Sequence, residues 1–426
     1  MFRCVSKLKG LIIDIDSFSY NDFDIWDSLC EKYACVFIRY SSSPEHVSLK
    51  KDSYRGQRAL LLPGFKKHFE PERSLHMEAL NCLSLQSSEV AYISADHSFI
   101  INALKFLSGT IWVHKRILTY QEASFCPDLI CSSLDKVENI LEKEIDGLHG
   151  EIFLTPDYYK KRQGYFLSIK WCPEDEKIPL FTAGRYFSYS HYMSQLHPFS
   201  SGVFLNKSVG KPYYGVLNST FVELYSSIIR RIAETSHIDC ICRVPARPNK
   251  EDRFQLITNM VSQSCKLEDI SSRFRCTSDF VSQKGLSAED RYINVRDVFQ
   301  YSGNIENKSV ILLDDIITTG STVRACAEEL KKQGAAEVIV LVLAINQLSR
   351  NYWSSSYPCV VCPICGANMI LLLNSQSKEF FYMCLEKCQA SEKAKTLNYN
   401  QGRTQLINFA DNEFAFSAPV QEDTLL

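Results

Sequence analysis

Two adjacent carboxylates, Asp314 and Asp315, close an apolar run in "VILLDDIITTGST" (residues 310–322), and small and hydroxyl residues follow at once. A buried strand ending in acids delivers them to the carboxyl edge of a parallel sheet, where open α/β sheets hold their ligands. Thr318, Thr319, Gly320, Ser321 and Thr322 then lead into the helix pattern "VRACAEELKKQG". The free amides of a helix N-terminus, with hydroxyl donors around them and Gly320 allowing close backbone approach, suit a monophosphate. Acids beside a phosphate site call for a ligand that is anionic at one end and carries hydroxyls or a metal nearby. A ribose 5-phosphate meets that description. No Gly-Lys-Ser/Thr ending is present, which argues against a nucleoside triphosphate loop.

A second acidic pair stands near the start, in "LIIDIDSF" (residues 11–18). A spacing of two puts Asp14 and Asp16 on one side of a strand end, where one carboxylate can attack phosphorus while the other moves a proton. A third constellation is made of thiols. "CPICG" (362–366) and "CLEKC" (384–388) flank a hairpin-like apolar stretch, so Cys362, Cys365, Cys384 and Cys388 can form a four-thiolate zinc site. A closed site of that kind is structural. Cys359 is a fifth thiol at ligand spacing.

The elements that must position these groups alternate. Residues 10–15 read as a buried strand, "DIWDSLCEKYA" as a helix and "CVFIRY" as a second strand; "HMEALNCLSL", "EVAYISAD", "SFIINALKFLS", "TIWVHK" and "CPDLICSSLDKVENILEKEI" continue the alternation. This pattern predicts a parallel sheet. Near 146–150, "DGLHG" marks a boundary. Residues 151–220 are aromatic and poorly periodic and carry no assignment, although "GRYFSYSHY" there is a candidate base-stacking run as well as candidate core. "STFVELYSSIIRRIAETS", "IDCICRVP" and "RFQLITNMVSQ" then read as helix, strand and helix, and residues 308–345 complete a second α/β unit.

The expected fold class is therefore α/β: two parallel-sheet domains, 1–147 and 148–355, a small zinc ribbon at 356–392, and a loosely held tail at 393–426. The 426 residues are 45% hydrophobic and 23% charged, enough for more than one packed core. A formal net charge of −2 supplies no global field for nucleic acid, so that partner is permitted but not favoured. The amino-terminal apolar run is too short for a signal peptide, and no stretch approaches the roughly 20 residues that cross a bilayer. A cytoplasmic protein without a membrane partner is expected. Seventeen cysteines suit reduced thiols plus a metal site better than a disulfide framework.

"VILLDDIITTGST" resembles the phosphoribosyl pyrophosphate motif of type I phosphoribosyltransferases. "RVPARPNKEDRFQLITNMV" and "QKGLSAEDRYINVRDVF", with Gln283, Leu286, Arg291, Asn294 and Phe299 in order, resemble the ComF-like branch over about 228–350. The resemblance implies that Asp314 and Asp315 hold the ribose hydroxyls and Thr318 to Thr322 the 5-phosphate. By the same token Arg247, Arg253 and Arg291 would serve the phosphates, with Mg²⁺ as cofactor and phosphoribosyl pyrophosphate as ligand. The acceptor stays open, as does the oligomeric state. The alternative is a non-catalytic metabolite-binding protein with a role in DNA uptake or processing, as the ComF-like resemblance permits. Residues 1 to about 145 resemble the haloacid dehalogenase-like hydrolases, which implies Asp14 as nucleophile, Asp16 as acid/base, and Ser41 and Asp96 as phosphate and metal partners. Ile100 stands where that family places a second acid, which leaves fewer oxygen ligands for Mg²⁺. A binding-only domain is the alternative to a working phosphatase there.

Overall fold

The computed structural model describes residues 8–18, 23–115, 117–142, 147–154, 164–170, 178–188, 191, 193–280, 288–348, 359–386, 388 and 395–413. Gln283, Leu286, most of 151–163 and part of "GRYFSYSHY" lie outside the described residues.

The alternating pattern of residues 10–142 folds as a seven-stranded sheet. Its order is Lys50–Tyr54, Gln57–Pro63, Ala34–Ser41, Gly10–Asp14, Val90–Ser94, Gly109–Val113, Leu129–Cys131. All neighbours are parallel except the first two, which form an antiparallel hairpin at the edge. Leu11, Ile12 and Ile13 are fully buried, as expected of a central strand covered on both faces.

The second seven-stranded sheet runs Glu268–Asp269, Cys240–Arg243, Ser309–Ile317, Glu337–Asn346, Pro179–Tyr186, Leu167–Lys170, Leu118–Thr119. Ser309–Ile317 lies parallel to both neighbours, with Asp314 opposite Val342. Val310 to Leu313 and Val340 to Val342 have no exposed surface. Those continuous β-branched and leucine runs are why the two strands were legible as buried.

The unassigned segment 151–220 completes this sheet. Pro179–Tyr186 pairs parallel with Glu337–Asn346 and antiparallel with Leu167–Lys170. The helix Pro198–Asn206 follows, apolar on nearly every side, with Phe199, Val203 and Leu205 buried. Leu118–Thr119, amino-terminal to the expected boundary, joins the second sheet instead of the first.

Beyond 356, Met369–Leu373 and Phe380–Cys384 form the expected hairpin. The expected loose tail is a correction: Thr396–Asn398 adds a third antiparallel strand and Tyr399–Glu413 is helical. Tyr399, Gly402, Leu406 and Ala410 are buried along one face of that helix. Asp411 accepts from the Ser88 amide at 3.0 Å and the Ser88 hydroxyl at 2.9 Å, which docks the helix on the first sheet's unit. Among the described residues no helix is long and apolar enough to cross a membrane.

Candidate functional site

The carboxyl ends of Cys240–Arg243 and Ser309–Ile317 open into a cavity of about 620 Å³. Asp314 and Asp315 lie on it, with Val244, Arg247, Lys250, Arg253, Phe280 and Thr322 around them and Asn206 and Lys207 arriving from the helix Pro198–Asn206. The Asp314 Oδ1 accepts from the Asp315 amide at 2.9 Å, and the Asp315 Oδ1 from the Ile316 amide at 2.7 Å. Tyr225, buried on the helix Asn218–Ile232, donates its hydroxyl to the Asp314 carbonyl at 2.5 Å. Burial, reinforced by the charge of Asp315, pushes the Asp314 carboxyl up to about 8. Lys207 Nζ stands 3.3 Å from Asp315 Oδ2.

The following turn is shaped for a helix start. Gly320 has φ +79°, a left-handed conformation that side chains disfavour, and Ser321–Lys332 begins at the next residue. Ser321 is buried and its hydroxyl lies 3.1 Å from that of Thr319. The basic loop 244–254 forms the opposite wall. Arg247 stacks on the Phe280 ring at 4.0 Å and donates to the Phe280 carbonyl at 3.3 Å. The two acids of that loop are engaged elsewhere: Asp252 pairs with Arg243 at 2.7 Å and Glu251 accepts from the Tyr214 hydroxyl at 2.6 Å. Both acids line the cavity as well, each already paired, beside Arg247, Lys250 and Arg253.

Residues 254–364 match the phosphoribosyl transferase domain family. This part of the chain is similar to phosphoribosyl transferase domains and to proteins of the ComF-like type. It is 30% identical over 92 residues to competence protein F of Haemophilus influenzae and 36% identical over 72 residues to DNA utilization protein YhgH of Escherichia coli. The matched stretches cover 21% and 17% of this chain and span 40% and 30% of those relatives' own lengths. Among solved structures, phosphoribosylpyrophosphate synthetase from Mycobacterium smegmatis aligns over 80% of this chain and 83% of its own, at 10% identity and a TM-score of 0.21, too loose an overlay to bear on the fold.

Asp314, Asp315, Thr322, Arg247 and Arg253 share the cavity wall, and Thr318, Thr319, Gly320 and Ser321 form the turn directly before Thr322. Arg291 stands apart. It lies on the short helix Ala288–Ile293, is not among the cavity's lining residues, and its charge acts on the Tyr120 hydroxyl instead. Lys207, Asn206 and Phe280 were missed. Lys207 and Asn206 sit in the segment whose aromatic and apolar residues face both ways, so no period singled them out.

In the first unit, Asp14 ends the strand Gly10–Asp14 and is buried. Its Oδ2 accepts from the Ser94 hydroxyl at 2.7 Å and its Oδ1 has no partner. Burial pushes its carboxyl up to about 7, against the Ser94 hydrogen bond and helped by Asp96 and Asp16, while Lys67 opposes the rise. Asp16 falls in the 3-10 turn Ile15–Ser17, and its carboxylate accepts the Tyr40 amide at 2.6 Å. Asp96 caps the helix His97–Ala103 by accepting the Ser98 amide at 2.8 Å. Ser41 ends the strand Ala34–Ser41 and accepts the Ser43 amide at 3.1 Å. Asp96 and Asp16 are thus both near enough for their charges to act on Asp14, as are the Ser94 hydroxyl and Lys67.

The four cysteines converge. The Sγ atoms of Cys362, Cys365, Cys384 and Cys388 all lie within 4.8 Å of one another. Cys362–Cys388 and Cys365–Cys384 are 3.5 Å apart and Cys384–Cys388 3.6 Å. A tetrahedron with Zn–S bonds of about 2.3 Å has edges of about 3.8 Å, so the thiols fit a zinc ion. Cys359 instead points to the Asn368 side chain at 3.2 Å.

Proposed function

We propose that the cleft binds phosphoribosyl pyrophosphate, or another compound containing ribose 5-phosphate, and that the protein is a phosphoribosyltransferase of nucleotide or nucleoside-like metabolism. The observation that carries this reading is the shared cavity of Asp314, Asp315, Thr322 and Arg247 at the sheet's carboxyl edge. The carboxylates accept hydrogen bonds from the ribose hydroxyls, and the turn 318–322 with the first amides of Ser321–Lys332 receives the 5-phosphate. In the reaction the bond from the anomeric carbon to pyrophosphate breaks with its electron pair leaving on oxygen. A nitrogen of the acceptor forms the new bond and then gives up its proton. Negative charge at Asp315 favours the oxocarbenium character between those events, Asp314 holds a ribose hydroxyl, and Arg247 and Arg253 receive the departing anion. The donor set fits Mg²⁺, because Asp314 and Asp315 together present carboxylate oxygens on the cavity, the hard ligands that ion takes. When bound, that ion supplies positive charge to the pyrophosphate. The four-thiolate cluster is assigned to structural Zn²⁺ that folds the hairpin. Asp314 and Asp315 are the residues proposed to act on the substrate, and Arg291 is left without a role there.

The unit around Asp14 supports a phosphatase-like partner activity. A phosphoribosyl product is a phosphate monoester, and Asp14 has an unpartnered oxygen at a strand end with Asp16 and Asp96 close enough to raise its carboxyl. Asp14 would attack phosphorus and Asp16 would carry the proton.

The test is pyrophosphate release from phosphoribosyl pyrophosphate by the full chain with Mg²⁺ and a panel of nitrogenous bases. Release that falls at least about 100-fold in Asp315→Asn is expected, the order of losing one transition-state electrostatic partner. Release unaffected by that substitution would place the chemistry elsewhere. A second reading follows from the similarity to competence protein F and DNA utilization protein YhgH: a non-catalytic ribose-phosphate sensor acting in DNA handling. Salt-sensitive binding of single-stranded DNA with no pyrophosphate release would select it.

A further inference from the structure

Lys207 is the one lysine whose ammonium stands against the acidic pair among the described residues. It caps the helix Pro198–Asn206, in a part of the chain outside the matched residues 254–364. Its Nζ lies 3.3 Å from Asp315 Oδ2, both side chains partly open to solvent, and 5.6 Å from the Tyr186 ring centroid. Its carbonyl accepts from Arg253 Nη1 at 3.2 Å, so the basic loop and the lysine are tied together at the cavity rim. The other basic groups of the rim are anchored differently: Arg247 is held flat against Phe280.

A partly exposed lysine–carboxylate pair is weak, while a lysine bonded to a di-anionic phosphate group is not. The ribose hydroxyls need the carboxylate that Lys207 holds. A ligand that brings hydroxyls to Asp315 and a second phosphate group to the Arg253 side of the cavity therefore gives the ammonium a stronger partner as it displaces it from the weaker one.

We propose that Lys207 is a ligand-binding, specificity-determining residue of the cleft: it rests on Asp315 in the free protein and transfers to the pyrophosphate of the incoming ligand. The inference rests on the phosphoribosyl reading above. It makes Lys207 a discriminator between compounds with a pyrophosphate at the anomeric carbon and those with only the 5-phosphate. Ribose 5-phosphate, which has no group for the ammonium to move to, must compete with Lys207 for Asp315.

The experiment is titration calorimetry of the full chain with phosphoribosyl pyrophosphate and with ribose 5-phosphate, each with Mg²⁺, for the wild type, Lys207→Met and Lys207→Arg. Lys207→Met is expected to weaken phosphoribosyl pyrophosphate at least about 10-fold, as loss of a charge-assisted bond would. It should leave ribose 5-phosphate unchanged or tighter, and Lys207→Arg should restore most of the lost affinity. Equal losses for both ligands would mean a merely structural lysine, and a loss under about threefold for phosphoribosyl pyrophosphate would mean no contact; either overturns the proposal. If the wild type binds neither compound, the phosphoribosyl reading itself fails, a result distinct from the other two.

Discussion

Replacing Asp314 by Asn should stabilise the protein, and more so as pH rises. The carboxyl is raised from 3.8 to about 8, first by burial and then by the charge of Asp315. A raised carboxyl means that the folded state holds its proton where the unfolded chain has lost it. Its contribution to stability is fully present below about pH 4 and is lost progressively as pH rises to about 8. At about 1.4 kcal/mol per unit, the limiting loss is about 5–6 kcal/mol. Asp314 lies at a cleft open to water with Lys207 nearby, so screening reduces this to about 1–3 kcal/mol. Asn keeps the Oδ1 that accepts the Asp315 amide at 2.9 Å, so no local bond is broken. In a unit of this size 1 kcal/mol moves Tm by about 2–4 °C, which predicts a gain of about 2–12 °C at pH 8.5. Near pH 4.5 the gain should almost vanish. Calorimetric melting at the two pH values decides it: a gain that does not grow with pH, or a loss at pH 8.5, refutes the argument that Asp314 is a strained carboxylate.

Two further outcomes follow from the other constellations. Hydrolysis of a generic aryl phosphate, where present, should fall at least about 100-fold in Asp14→Asn, as expected for loss of a nucleophile; because that carboxyl sits at about 7 and must be ionised to attack, the rate should rise with pH through that value, and activity surviving the substitution would remove the assignment. Purified protein should contain zinc at one equivalent per chain. Cys384→Ser should abolish it, with protection from proteolysis lost between about 359 and 413, since structural zinc contributes on the order of 10 kcal/mol to such a module; metal content unchanged by the substitution would show that the thiols are not its ligands.

What was legible in the sequence had a strong local signal. Val310 to Leu313, Val338 to Ile345 and Leu11 to Ile13 are continuous apolar runs, and both sheets are built on them. The acidic pair, the turn at Gly320 and the cysteine pairs are close in sequence, so their grouping survives without knowledge of the fold. Lys207 had no such neighbour: it meets Asp315 across 108 residues, from a segment whose apolar residues face both the sheet and a covering layer. Arg291 shows the reverse. Motif order placed it with the phosphates, but the short helix that carries it turns its charge toward Tyr120. The carboxyl-terminal helix was legible in principle, for Tyr399, Gly402, Leu406 and Ala410 recur every three or four residues. Gly402 in particular hides its role, since its value is an absence: a Cβ there would come within 2.3 Å of the Tyr382 ring.

The expected boundary near residue 147 is a boundary in the chain's pattern and not in its packing. Arg185, on the strand Pro179–Tyr186, is buried at 2% exposure, and its guanidinium donates to Glu151 at 2.8 Å, to Asp128 at 3.1 Å and to the Cys126 carbonyl at 3.1 Å. His197 lies 3.2 Å from Glu151 on the other side. Burial alone would raise the Glu151 carboxyl, but the Arg185 charge, with the His197 imidazole beside it, holds it well below the usual range. Gln347, next to the strand Glu337–Asn346, accepts from the Cys126 amide at 2.9 Å and donates to the Ala123 carbonyl at 3.0 Å. Cys126 and Asp128 belong to the amino-terminal unit, so a cut at 147 would part Arg185 from Asp128 and from the Cys126 carbonyl, while Glu151 and His197 stay on its own fragment. Removing one member of such a buried set costs about 3–5 kcal/mol, more than the margin by which many domains stay folded. The two sheets are thereby stapled through charge, through the strand Leu118–Thr119 and through the helix docked on Ser88, and a pattern of alternating strands and helices has no means of showing a contact made by a single arginine.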